Sequence, residues 1–323
     1  MAVGLATVVA SVAACSSEGA PQSASSEPIV AVPPQPQGVQ VSPSEAPVAA
    51  GSSGPACNPF ASGPRPPVVM PPAGHMPPGS TMATIQGRGR LIVGVDQNTY
   101  KFGYLDPATG QIVGFDIDIA HAVAKAIFGD PNKIQFVAIT TAQRIPDVQN
   151  HTVDLVADTM TVNCDRLKQV AFSSIYYDAG QSVLVRKDSS AIGIASLGGK
   201  KVCAAAGSTS IANIAAQSSK PIPVSVTDWT DCLVMLQQGQ VDAISTDDTI
   251  LRGLAAQDPD TKLVGQNFTQ EPYGLAMNRN AQDFVAFVNG VLQQLRTDGG
   301  WAAIYAKWLG TPVPAPPAAG YGN

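Results

Sequence analysis

The sequence predicts an α/β fold built on mainly parallel sheets, and three observations carry that expectation. From Leu91 onward, short apolar runs alternate with amphipathic stretches, the rhythm of strands joined by helices that favours parallel pairing. The first run, Leu91-Ile92-Val93-Gly94-Val95, is apolar throughout, as a strand buried on both faces must be. Gly and Pro punctuate the joins, as at Gly129-Asp130-Pro131.

Taken from the N-terminus, the run Val3–Ala14 ends in Val12-Ala13-Ala14-Cys15. It is shorter than the roughly 20 residues needed to cross a bilayer, and it suits the apolar core of a secretory signal. Its end matches the lipobox at which bacterial lipoprotein signal peptides are cut. Residues 1–14 are therefore expected to be removed and Cys15 to carry a lipid, which places the protein outside the cytoplasm, anchored to the cell membrane. The basic region that usually precedes such a core is missing, the first Lys or Arg being Arg65. Residues 15–84 read as an extended, disordered tether, because 16 of the 27 prolines fall between Pro21 and Pro78 and few large apolar side chains are present to offset the entropy of ordering.

Folded structure is expected from about Ile85 to Leu309. Phe115, Ile119, Val123 and Ile127 recur every four positions, the stripe of a helix opening at Gly114. Strands follow at Ile134–Ile139 and near 154–157, 182–186, 202–205, 242–245, 263–264 and 273–277. Helices fit 141–150, 208–217, 230–238 and 249–256. Phe284, Phe287, Val288, Val291, Leu292 and Leu295 mark one further helix and Trp301, Ile304, Tyr305, Trp308 and Leu309 another, both read as core. Residues 311–323 return to Pro, Ala and Gly and read as a loose tail.

Several functions are excluded or lack support. A net charge of −5 gives no basic surface for nucleic acid. No Gly-x-Ser-x-Gly elbow, Walker loop or His-Glu-x-x-His occurs, and Gly87-x-Gly89 precedes a strand instead of following one. The three His residues are far apart and no Cys-x-x-Cys exists, so neither a metal nor a cofactor is expected. After Cys15, the four cysteines Cys57, Cys164, Cys203 and Cys232 suit an oxidising compartment and allow three pairings.

What chemistry there is lies at strand ends, where α/β folds bind ligands. Asp96, Phe102 and Tyr104 follow the first strand. Asp158-Thr159-Met160-Thr161 follows the strand near 154–157, with Arg166 beyond it. Gly207-Ser208-Thr209-Ser210 opens a helix, and Thr246-Asp247-Asp248 follows the strand near 242–245. An arginine, a helix start and a carboxylate at separate strand ends suit a zwitterion.

In order, the segments Gly114–Asp118, Arg144-Ile145-Pro146 with Val153-Asp154-Leu155, Thr159-x-Thr161-x4-Arg166 with Val170–Ser173 and Tyr176-Tyr177, Gly207–Ser210, and Gln238–Ala243 with Asp247 resemble the polar amino-acid-binding proteins of bacterial ABC importers, extracellular solute-binding family 3. The resemblance covers about Arg88 to Leu309. With the lipobox, the Pro-rich tether and the Cys203/Cys232 pair, the chain is further similar to the glutamine/glutamate-binding lipoproteins of actinobacteria, mycobacteria in particular. The family implies a two-lobed, type II periplasmic-binding-protein-like fold, two mainly parallel sheets joined by a two-strand hinge that closes on ligand. The first lobe would comprise 85–184 and 274–310 and the second 185–273, with crossovers near Gln181–Val185 and Pro272–Leu275.

By the same resemblance, Arg166 would grip the ligand α-carboxylate, helped by Thr159 and Thr161 and, from the second lobe, by Ser208 and Thr209. Asp247 would take the ammonium beside Thr246. Arg144 matches a residue that meets the distal carboxylate of acidic ligands, and Asp96 one that accepts from a side-chain amide. Glutamate/aspartate binders commonly carry His at the place of Thr246 and Arg at that of Asp96, from which this chain departs. Phe102 and Tyr104 would wall the pocket or pack the core. A Cys203–Cys232 disulfide is expected, leaving Cys57 and Cys164 to pair. The implied function is a monomeric, non-enzymatic protein that binds glutamine, glutamate, asparagine or aspartate and delivers it to an ABC permease. One alternative output is presentation of ligand to a membrane sensor; another is a cyclohexadienyl-dehydratase-like enzyme, whose acid/base residues are not found here.

Overall fold

The structure is a computed structural model that describes residues 33–42, 57–61 and 63–322. The signal segment 1–14, Cys15 and parts of the expected tether lie outside the described residues. Two sheets organise the rest. In the first, five strands stand in the order Ile134–Ala138, Leu91–Val95, Leu155–Val156, Ala276–Met277, Ala171–Phe172. Leu91–Val95 runs parallel to both its neighbours, whereas Ala276–Met277 runs antiparallel to both of its own. The helix Phe115–Phe128 buries Phe115, Ile119, Val123 and Ile127, the stripe its four-residue spacing dictates, and stops at Gly129 in the left-handed conformation, φ 77°. Helices Gln282–Thr297 and Gly300–Leu309 complete this core with Phe284, Phe287, Val288 and Trp301.

The second sheet has six strands in the order Gln40–Val41, Ile222–Val226, Lys201–Ala205, Ala243–Asp247, Gln181–Arg186, Thr261–Val264. Lys201–Ala205 again runs parallel to both neighbours. A separate core of Leu184, Val202, Leu236, Ile244 and Leu251 lies around it. Cys203 and Cys232 are bonded, tying this central strand to the helix Trp229–Gln237; closing a loop of that length stabilises by about 3–4 kcal/mol on chain-entropy grounds. Between the sheets, Tyr177–Ala179 pairs antiparallel with Glu271–Tyr273, a two-strand connection.

The Pro-rich flanks depart from expectation. Residues 57–61 and 63–80, expected within a disordered tether, are laid on the first lobe, and Gln40–Val41 adds an edge strand to the second. Cys57 is bonded to Cys164. Asn289 Nδ2 donates to Pro64 O at 2.7 Å, and Asp283 accepts from both the backbone and the hydroxyl of Thr81, each at 2.7 Å. Met70 lies where a Cβ on Gly290 would fall, so the helix approaches the strap only because that residue is glycine. The tail 312–322 is held likewise: Arg296 Nε donates to Pro317 O at 3.1 Å and Gly322 N to Gly63 O at 2.8 Å. The physical reason is shared. Proline offers carbonyls without N–H groups and has little backbone freedom left to lose, so a few donors from the lobe suffice to fix it. The helix Thr81–Arg88, capped by Ser80, is a further element that the expected start at Ile85 cuts through.

Candidate functional site

The strand ends of the two sheets face each other across a small cavity. Its lining includes Arg144, Thr159, Thr161 and Arg166 from the first lobe and Ser208, Thr209, Thr246 and Asp247 from the second, so eight of the residues expected from sequence are brought together. Ser210, Trp229 and Ile250 also line it.

Each charged group is held by its own surroundings. Arg144 is buried; its Nε donates to Thr141 O at 3.0 Å and its Nη1 to Asp158 O at 2.9 Å. Arg166 opens onto the cavity from the short helix Cys164–Leu167, whose first turn is capped by Asn163. Its Nη1 donates to Thr161 O at 2.7 Å, while its Nη2 crosses the cleft to Gly207 O at 3.2 Å. Burial, reinforced by the Arg144 charge, pushes the Arg166 guanidinium down to about 9, still protonated at neutral pH. Asp247 Oδ2 accepts from Tyr273 Oη at 2.6 Å, and its Oδ1 is buried with no hydrogen-bond partner. Burial, with Glu271 nearby, raises the Asp247 carboxyl well above the ordinary range.

Hydroxyls fill most of what remains. Ser210 Oγ donates to Thr246 Oγ1 at 3.0 Å, and Thr209 Oγ1 to Glu271 at 2.9 Å. The Ser208 hydroxyl is spent locally, accepting from Ile211 N as the cap of Thr209–Ala215 and donating to Ala205 O. Thr159 stands in the left-handed region at φ 40°, where a β-branched residue is strained by about 1–3 kcal/mol. Its N–H donates to Asp116 Oδ2 at 2.8 Å, and Asp116 Oδ1 accepts from Tyr176 Oη at 2.7 Å. Burial drives the Asp116 carboxyl up to about 6 against those two hydrogen bonds.

Three expected residues do not reach the cavity. Asp96 gives one oxygen to the N–H groups of Gln97 and Asn98 and the other to the Thr99 hydroxyl, so its carboxylate is consumed by the turn that follows its strand. Phe102 is core, only 1% exposed and packed against Phe115, Tyr177 and Tyr273. Tyr104 sits edge-on to Tyr100 and Trp308. Conversely, Trp229 lines the cavity after the strand Ile222–Val226, which Pro221 and Pro223 mask in the sequence.

The cavity is narrow: its volume is about 10 Å³, room for about one water. An outer groove of about 610 Å³ shares Thr161, Arg166, Ser208 and Thr209 with it and is walled by Pro59 and Phe60 of the pinned strap. The groove is the larger space, but the cavity holds the free carboxylate oxygen and both arginines. Among the described residues, no three His, Cys, Asp or Glu side chains stand together as metal ligands.

Two lobes on a two-strand connection, with opposed charges meeting in the cleft, define a hinge-closing solute-binding protein. The chain belongs to the bacterial extracellular solute-binding proteins, family 3, whose profile matches residues 91–311. It is 39% identical over 230 residues to the ABC transporter glutamine-binding protein GlnH of Bacillus subtilis, covering 71% of this chain and 84% of that protein. It is 30% identical over 247 residues to the glutamate/aspartate import solute-binding protein of Escherichia coli, covering 73% and 82%. A crystal structure of a mutant of ArgBP from T. maritima matches with a TM-score of 0.66 at 30% identity, covering 71% of this chain and 99% of that one. The fold is accordingly of the type II periplasmic-binding class expected.

Proposed function

We propose that this protein binds a polar amino acid between its lobes outside the cytoplasm and delivers it to an ABC permease. The observation that carries the reading is Asp247 Oδ1, a buried carboxylate oxygen without a partner, in one cavity with Arg166. A buried unpaired acceptor is costly unless a ligand completes it. An ammonium completes Asp247, and the α-carboxylate of the same molecule meets the Arg166 fork, with Thr159 and Thr161 beside it. Arg144 then remains for the side chain, which favours a ligand with oxygen at its distal end: glutamine or glutamate, asparagine or aspartate. The names of the Bacillus and Escherichia relatives, glutamine-binding and glutamate/aspartate import proteins, support that choice.

Ligand entry requires the lobes to part, because the closed cavity is too small for an amino acid. The antiparallel pair Tyr177–Ala179 and Glu271–Tyr273 is where the movement would turn. Anchoring is assigned to a lipid on Cys15 because Val12-Ala13-Ala14-Cys15 matches a lipobox; among the described residues no helix is long and apolar enough to cross a membrane. A thermal-shift screen of the twenty amino acids tests the reading: a true ligand at 100 times its dissociation constant adds about 2.7 kcal/mol of stability. A screen in which no polar amino acid raises the melting temperature contradicts it.

A further inference from the structure

Arg144 is backed by a carboxyl that it does not satisfy. Asp158 Oδ2 lies 3.9 Å from Arg144 Nε, beyond hydrogen-bond distance, and has no hydrogen-bond partner. Both side chains are buried, 5% and 2% exposed, yet only Arg144 lines the cavity. The groups around the Asp158 carboxyl come from every neighbouring element: Arg144 from the helix Arg144–Gln149, Asp96 from the end of Leu91–Val95, Asp116 from Phe115–Phe128, Arg166 from Cys164–Leu167, and Tyr176 before Tyr177–Ala179. Three carboxyls thus stand near two guanidinium groups, behind the end of the cavity assigned above to the ligand side chain.

We propose that Asp158 is the positioning residue that decides ligand charge, releasing Arg144 to a carboxylate side chain by taking up one proton and keeping it neutralised for an amide. The inference rests on the reading that the cavity holds an amino acid with its distal group at Arg144. With Asp158 ionised, Arg144 is neutralised from behind, and a ligand carboxylate would add a further negative charge beside Asp96, Asp116 and Asp158 in a poorly solvated space. A proton from solvent on Asp158 Oδ2 removes that repulsion and leaves the guanidinium charge to the ligand. A neutral amide needs no such proton, since its oxygen accepts from Arg144 while the pair stays ionised. Burial holds the Asp158 carboxyl well above the ordinary range, with Arg144 opposing and Asp96 and Asp116 adding to the effect.

The test is calorimetric titration of the full chain with L-glutamate and with L-glutamine from pH 5.5 to 8.5, in two buffers of different ionisation enthalpy. Both ligands carry the same α-groups, so titration around Asp247 and Arg166 cancels in the ratio of their affinities. Glutamate is expected to bind with uptake of up to one proton and to weaken relative to glutamine by up to about tenfold per pH unit above the Asp158 titration. In Asp158→Asn the ratio becomes flat with pH and glutamate binding at pH 8 strengthens. An unchanged ratio with no proton uptake by the wild-type protein overturns the proposal, and that measurement depends on no variant folding. A ratio flattened by Asp116→Asn and untouched by Asp158→Asn also overturns it. Failure of both ligands to bind would overturn the reading of the cavity itself, and the proposal with it.

Discussion

The two lobes present unlike halves of the cleft. In the first, both arginines are fixed by carbonyls of their own lobe, Thr141 and Asp158 for Arg144 and Thr161 for Arg166, before anything enters. In the second, the lining is hydroxyl and apolar apart from Asp247, and Asp247 is steadied by Tyr273 from the connection between the lobes. Orientation that is already fixed need not be lost again on binding. The first lobe is therefore the half on which a ligand would settle, and the second the half that completes it by closing.

The sharpest way to break this comparison is to remove one charge from each side. Arg166→Ala and Asp247→Ala are each expected to weaken amino-acid binding by about 2–5 kcal/mol, because each strands a ligand charge in a desolvated site. Since micromolar affinity is only about −8 kcal/mol in total, calorimetry should find binding much weakened in both variants. If the halves act as described, Arg166→Ala loses binding outright whereas Asp247→Ala retains weak binding to the open first lobe. Near-wild-type affinity in both would mean that the cleft charges are not the ligand's partners.

The next effect concerns stability and sharpens the contrast in buried charge. A carboxyl whose folded pKa lies above its unfolded one holds more protons when folded, so stability falls as pH rises through the interval between the two values. For Asp116, raised by burial from 3.8 to about 6, the loss is on the order of 3 kcal/mol by pH 7. The melting temperature without ligand should rise as pH is lowered from 7 to 5, and Asp116→Asn should reduce that rise. A wild-type melting temperature that falls over the same interval would contradict the cost assigned to these buried acids.

The smallest effect reads closure alone. Gly207 stands at φ 76°, and a Cβ there would come within 2.8 Å of Ala142 Cα on the opposite lobe. Gly207→Ala should weaken binding by about 1–3 kcal/mol through that clash, beyond the backbone strain of about 1 kcal/mol present in both open and closed forms. Calorimetry beside melting temperature separates the two. A variant that melts lower but binds unchanged would show that the lobes do not meet at this point in the ligand-bound form.

Legibility in the sequence varied from element to element. Leu91–Val95 and Phe115–Phe128 could be read because a doubly buried strand and a one-sided helix leave plain apolar patterns. Ile222–Val226 could not, since Pro223 sits within the strand and Pro221 just before it, and with that strand went the position of Trp229. The course of the Pro-rich strap and tail is not legible in composition, which reports what a segment can bury, not which carbonyls a neighbouring Asn289 or Arg296 will hold. At the site, seven residues read from strand ends and the loops after them line one cavity, since the ends of neighbouring strands must lie together; Arg144, on the helix Arg144–Gln149, joins them and was indicated only by the resemblance. Asp96 fails the rule because its carboxylate folds back into an N–H turn, a choice made by its own neighbours Gln97 to Thr99. Ile250 stands three residues after Asp247, at the helical spacing that could have revealed it.

The most direct test is a crystal structure of the protein with the amino acid that gives the largest thermal shift. The ligand α-carboxylate should lie on the Arg166 guanidinium and its ammonium within about 3 Å of Asp247 Oδ1, with both lobes in contact. A ligand found in the outer groove beside Phe60, leaving Asp247 Oδ1 without a partner, would contradict the assignment of the site.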